Sequence, residues 1–96
     1  MRRYEVLYII RPDRDQEAIV RCAQQMKEVV EQHGGEVEEI KDWGRRRLAY
    51  EVDRVHEGQY VLMTFQGETE TLEALDRQMK LSEDILRHMI TRKEAA

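Results

Sequence analysis

From Arg3 to Ile10 the residues alternate, with Tyr4, Val6, Tyr8 and Ile10 on one face and Arg3, Glu5, Leu7 and Ile9 on the other. Because apolar side chains occupy both faces, this segment is predicted to be a central strand. Pro12 and Asp13 end it, and Asp15 is the expected N-cap of a helix, although Asp13 and Gln16 also have capping-box spacing. From Gln16 to His33 the period changes: Ile19, Cys22, Ala23, Met26, Val29 and Val30 fall on one helical stripe, and Gly34-Gly35 supplies a left-handed stop. At about 1.5 Å per residue that helix is roughly 27 Å long, enough to return the chain along about eight residues of strand.

A second strand is predicted over Glu36 to Val52, long enough to require a bend or bulge, placed near Gly44. Asp53 to Gly58 is expected to be a hairpin loop leading into a third strand, Gln59 to Gln66, whose Val61, Met63 and Phe65 share one face. Gly67 breaks that strand. Glu68 or Thr69 caps a second helix to about Lys80, with Leu72, Leu75 and Met79 inward and Glu70 and Glu73 complementing its N-terminal dipole. Ile85 to Arg92 is the last strand, and Lys93-Glu94-Ala95-Ala96 is expected to fray. The order βαββαβ is that of the ferredoxin-like α+β fold, a four-stranded antiparallel sheet with two helices on one face. Right-handed crossovers put the first and third strands at the centre. The second and fourth are then edges, and the antiparallel first and fourth strands bring Arg2, Arg3, Arg92 and Lys93 to one basic corner.

Ninety-six residues make one domain, 1–96, with one core. With no run of about 18 apolar residues, and with a start, Met1-Arg2-Arg3-Tyr4-Glu5, that lacks the apolar stretch of a signal peptide, neither a membrane span nor a signal peptide is expected, and the cytoplasm is the expected location. The single Cys22 lies on the apolar helical stripe and is expected to be a packed thiol. His33, His56 and His88 lack ligand spacing, so no metal or other cofactor is expected. Dinucleotide and phosphate-loop glycines are also absent. The net charge of −4 argues against coating nucleic acid by bulk electrostatics. The charges are nevertheless segregated. Acidic residues gather at Glu36, Glu38, Glu39 and Asp42 and on the second helix, and basic ones at Arg2, Arg3, Arg45 to Arg47 and Arg87 to Lys93.

The stretch Trp43-Gly44-Arg45-Arg46-Arg47-Leu48-Ala49-Tyr50 concentrates this chemistry. Three guanidinium groups on a strand send charge to both faces and along an exposed edge, which suits phosphate contact rather than catalysis. Blunting an edge strand against unwanted pairing is the alternative use of the same residues. On the face away from the helices, Leu7, Ile9, Tyr60 and Leu62 present an apolar surface with a single ring, better suited to packing a protein partner than to stacking bases. Two other functions are built on this fold. An RNA recognition motif stacks bases on its first and third strands, and Gly58 to Phe65 faintly echoes its third-strand motif. An acylphosphatase grips phosphate in the loop after its first strand, where Arg11-Pro12-Asp13-Arg14-Asp15 puts two carboxylates.

The run Gly44-x-Arg46-x-Leu48-Ala49-Tyr50, together with the opening Arg3-Tyr4-Glu5, resembles the signature of the bacterial small-subunit ribosomal protein S-six family, and the resemblance extends from Met1 to about Arg92. It implies a structural, non-enzymatic ribosomal protein, monomeric outside the ribosome, that binds central-domain rRNA together with ribosomal protein S-eighteen. By that resemblance rRNA contact is carried to Arg2, Arg3, Arg46, Arg47, Arg87 and Arg92, and more loosely to Arg45, His88 and Lys93. A basic partner would supply much of the phosphate neutralisation that an acidic chain lacks. The chain departs from the family pattern after Tyr50, where Glu51 and Asp53 stand in place of the usual Pro and a following basic residue.

Overall fold

The computed structural model describes residues 1–93. Its elements are β1 (Arg2–Ile10), α1 (Gln16–Gln32), β2 (Glu36–Val52), β3 (Val55–Gly67), α2 (Thr69–Leu81) and β4 (Ile85–Lys93). The strands form one antiparallel sheet in the order β2-β3-β1-β4, so β1 and β3 are central and β2 and β4 are edges. This is the ferredoxin-like arrangement. Tyr4, Val6, Tyr8 and Ile10 of β1 and Val61, Met63 and Phe65 of β3 meet Ile19, Cys22, Met26 and Val30 of α1 and Leu75 and Met79 of α2 in a single core. Period two in the strands and period 3.6 in the helices therefore converge on one layer between sheet and helices. Burial pushes the Cys22 thiol up to about 11, which makes it packing material rather than a nucleophile.

Asp15 caps α1, its carboxylate accepting from the amide of Ala18 at 2.8 Å. At the other end Gly34 alone takes the left-handed conformation, at φ 81. Gly35 serves close packing instead, since an added Cβ would lie 2.7 Å from Val30, Thr71 and the Gln66 carbonyl. The expected left-handed Gly34-Gly35 stop is thus one residue long. In α2 the inward stripe is Thr71, Leu75 and Met79, while Leu72 is only half-buried. Thr71 faces inward because its hydroxyl is used twice: it donates to the His33 carbonyl at 2.7 Å and accepts from the Glu68 amide at 3.2 Å. It ties the end of α1 to the start of α2.

The third strand begins earlier than expected. Asp53 and Arg54 both have positive φ, 49 and 65, and make a two-residue turn that lets Val52 face Val55 directly. The expected loop from Asp53 to Gly58 is therefore mostly strand. β4 likewise continues to Lys93, which pairs with Arg3, so fraying does not begin there; Glu94, Ala95 and Ala96 lie outside the described residues. Among the described residues no helix is long and apolar enough to cross a membrane, and no three His, Cys, Asp or Glu side chains gather as a metal site.

Candidate nucleic-acid interface

β2 and β3 outlast the rest of the sheet. Gln59 faces Ile10, the last residue of β1, so Val55 to Gly58 and the β2 residues opposite them project as a two-stranded arm. At the root of this arm the register shifts between Asp42 and Gly44, which is the predicted bulge. Gly44 has φ 82, and the Asp42 carboxylate accepts from its amide at 2.8 Å and from Gln59 Nε2. Space around Gly44 is open, so it is the backbone conformation that calls for glycine there.

Beyond the bulge the three arginines have three different environments. Arg45 faces the helix side, where it donates to the Pro12 carbonyl at 2.7 Å and pairs with Glu57 at 3.3 Å. Arg46 turns back along the strand and places its guanidinium 5.1 Å from the centre of the Trp43 ring. The side chain of Arg47 has no hydrogen bond or ion pair with any described residue. The triplet thus provides one anchored, one stacked and one unengaged cation.

The tip of the arm reaches across to the opposite edge. Tyr50 of β2 lies under Arg87 of β4, with the guanidinium 4.8 Å from the ring centre and Nη1 donating to the Tyr50 hydroxyl. Between them lies the open face of the sheet, where Leu7 pairs with Leu62 and Met89, and Ile9 pairs with Tyr60 and Arg87. Leu7, Ile9, Tyr60, Arg87, His88 and Met89 line a shallow depression of about 200 Å³. Met89 is 62% exposed and joins the four apolar residues read from the sequence. Its alternation with Arg87 along β4 was the signal that could have found it.

The basic corner is divided by the pleat. Arg3 and Lys93 face each other on the open side, paired with Glu38 at 3.0 Å and Glu5 at 3.5 Å. The Arg3 guanidinium, hydrogen-bonded to Glu38, holds that carboxyl below the usual carboxylate range. Arg2 and Arg92 alternate to the helix side, where Arg92 lines a cavity of about 400 Å³ with Tyr4, Leu72, Glu73, Asp76 and Ile90. The four cations are neighbours in backbone but do not converge on one face. His88 also turns to the helix side: its Nε2 lies 2.7 Å from Asp76 Oδ1. That hydrogen bond, and then one from Lys80, hold the Asp76 carboxyl below its ordinary value. The His88 ring is thereby engaged by α2, whereas the Arg87 guanidinium is engaged by Tyr50, although both residues border the open-face depression.

The profile of the family described as Ribosomal protein S6 matches residues 3–92. The chain is 49% identical over 92 residues to the small ribosomal subunit protein bS6 of Desulforamulus reducens, spanning 96% of this chain and 97% of the relative. It is 47% identical to the protein of the same name in Natranaerobius thermophilus over the full length of both. The crystal structure of 30S ribosomal protein S6 from Thermotoga maritima superposes with a TM-score of 0.90 at 26% identity, covering 96% of this chain and 87% of that one. The alternatives of a solitary RNA-recognition module and an acylphosphatase give way: a small chain with a basic arm, an apolar open face and this likeness along nearly its whole length belongs to the ribosomal protein S6 family of the small ribosomal subunit.

Proposed function

We propose that this chain binds the central domain of small-subunit rRNA together with ribosomal protein S-eighteen, and that it is a monomer until it does so. The observation that carries this reading is the separation of two surfaces on one sheet. The open face offers Leu7, Ile9, Tyr60, Leu62 and Met89 for apolar packing, and the arm beside it offers Arg46 and Arg47 to phosphate. A protein partner on the first surface and RNA on the second would be joined where Arg87 meets Tyr50. Arg2 extends the cationic surface on the helix side, where Arg92 also stands, and Arg3, Arg45, His88 and Lys93 are held by Glu38, Glu57, Asp76 and Glu5 and contribute by positioning. An excess of carboxylates makes unaided RNA binding weak, and a basic partner offsets it.

The test is binding of the purified protein to a central-domain rRNA fragment with and without S-eighteen. Tight binding is expected only with both proteins, and Leu7→Glu on the open face should abolish the cooperation while leaving the fold intact. Equal binding with and without the partner would return the chain to the solitary-module reading.

A further inference from the structure

Trp43 is the single tryptophan of the chain and stands at the bulge where β2 passes from Glu36, Glu38, Glu39 and Asp42 to the arginines. It is 39% exposed, with the Arg46 guanidinium over its ring. The ring and the guanidinium beside it are two flat groups on an exposed strand edge, and both can stack on a planar ligand. We propose that Trp43 and Arg46 form a stacking site for one unpaired nucleobase of the bound RNA, with Arg47 taking an adjoining phosphate. This rests on the RNA-binding reading above and adds to it the state of the nucleotide that is recognised.

The indole and the guanidinium are both planar and both stack on the faces of bases, whatever the base. In duplex RNA those faces are hidden, so the ligand is a bulge or loop nucleotide that can be splayed out. Arg47, one residue along, alternates to the other face of β2, so the phosphate it takes is one that crosses the exposed edge of the strand; no described residue engages its side chain. The carboxylates of Glu36 to Asp42 repel a phosphate backbone from the other side of Trp43, so the strand of RNA must run toward the arm. Asp42 itself is fixed by the Gly44 amide and Gln59, which holds the bulge and with it the position of the ring.

Because Trp43 is the only indole, its emission reports on the site directly. With S-eighteen present, the protein is titrated with a short oligoadenylate and with an abasic ribose-phosphate strand of equal length. In parallel, wild type, Trp43→Phe and Trp43→Ala are compared, each with S-eighteen, for binding to the central-domain fragment, with thermal melts as a check on folding. Saturable quenching by oligoadenylate but not by the abasic strand is expected, with near-normal rRNA affinity for Trp43→Phe and a loss of roughly five- to hundredfold for Trp43→Ala. Equal quenching by both strands, or full affinity in Trp43→Ala, overturns the stacking site while leaving rRNA binding in place. Failure of wild type itself to bind the fragment instead sinks the reading on which the site rests, and the site with it. Quenching by S-eighteen alone would show that a protein covers the ring, and would equally overturn the proposal.

Discussion

Arg54 holds a backbone conformation that L residues with a Cβ adopt at a cost, since φ 65 brings that carbon toward the following carbonyl. With Asp53 at φ 49 it forms the turn between β2 and β3, and the residue pair best suited to such a turn is Asp-Gly. Arg54→Gly is therefore expected to stabilise the protein by about 0.5 to 1 kcal/mol, the relief of strain outweighing the greater freedom of glycine in the unfolded chain. Denaturant midpoints of the two proteins check this, and a lower midpoint for the variant would mean that the turn is not left-handed at Arg54. The same residue explains why the turn was not legible in the sequence. Gly58 carries the usual mark of a turn and Arg54 does not, so the loop was expected to end four residues later than it does. Gly44 was legible because its glycine and its mid-strand position both pointed to a bulge.

At the scale of elements, α2 is joined to the edge strand β4 by a clasp in which Asp76 receives His88 at 2.7 Å and Lys80 at 2.9 Å. Both partners hold the Asp76 carboxyl below its ordinary value, so its charged form is favoured by the folded state. A carboxyl with a depressed folded value stabilises the fold above its unfolded value, about 3.9, and loses that contribution as pH falls through the folded value. Asp76→Asn should thus be less stable than wild type at neutral pH, by a margin that shrinks progressively below about pH 4. The margin is modest because the carboxylate is 39% exposed and screened by solvent. Urea titrations of both proteins from neutral to acid pH measure it, and a pH-independent margin would place the effect of the mutation in packing. β1, β3, α1 and α2 were legible from periodicity, because the apolar stripe of each repeats within its own segment. The clasp was not, since it joins residues 12 apart through a helix rotation that Thr71, rather than Leu72, decides.

For the whole molecule the question is which cations are available to RNA, and here the sequence alone was least informative. Every arginine could be named in advance, but which of them a carboxylate already engages depends on contacts between distant segments. Arg3 finds Glu38, 35 residues away, and Lys93 finds Glu5 across β1 and β4. The side chains of Arg2 and Arg47, by contrast, have no partner among the described residues. Salt dependence separates the two groups. Each phosphate neutralised releases condensed counterions and steepens the fall of log affinity with log salt by about 0.7 to 0.9. With S-eighteen present, Arg2→Gln with Arg47→Gln should make that slope shallower by roughly one to two units and hardly alter base preference. Arg3→Gln with Lys93→Gln should leave the slope nearly as it is, because a cation held by a carboxylate has no phosphate to give up. Salt titrations of rRNA binding by the two double variants decide the matter. If the second pair flattened the slope more than the first, Glu38 and Glu5 would have to release their partners on binding, and the open-side corner rather than the arm would be the principal phosphate contact.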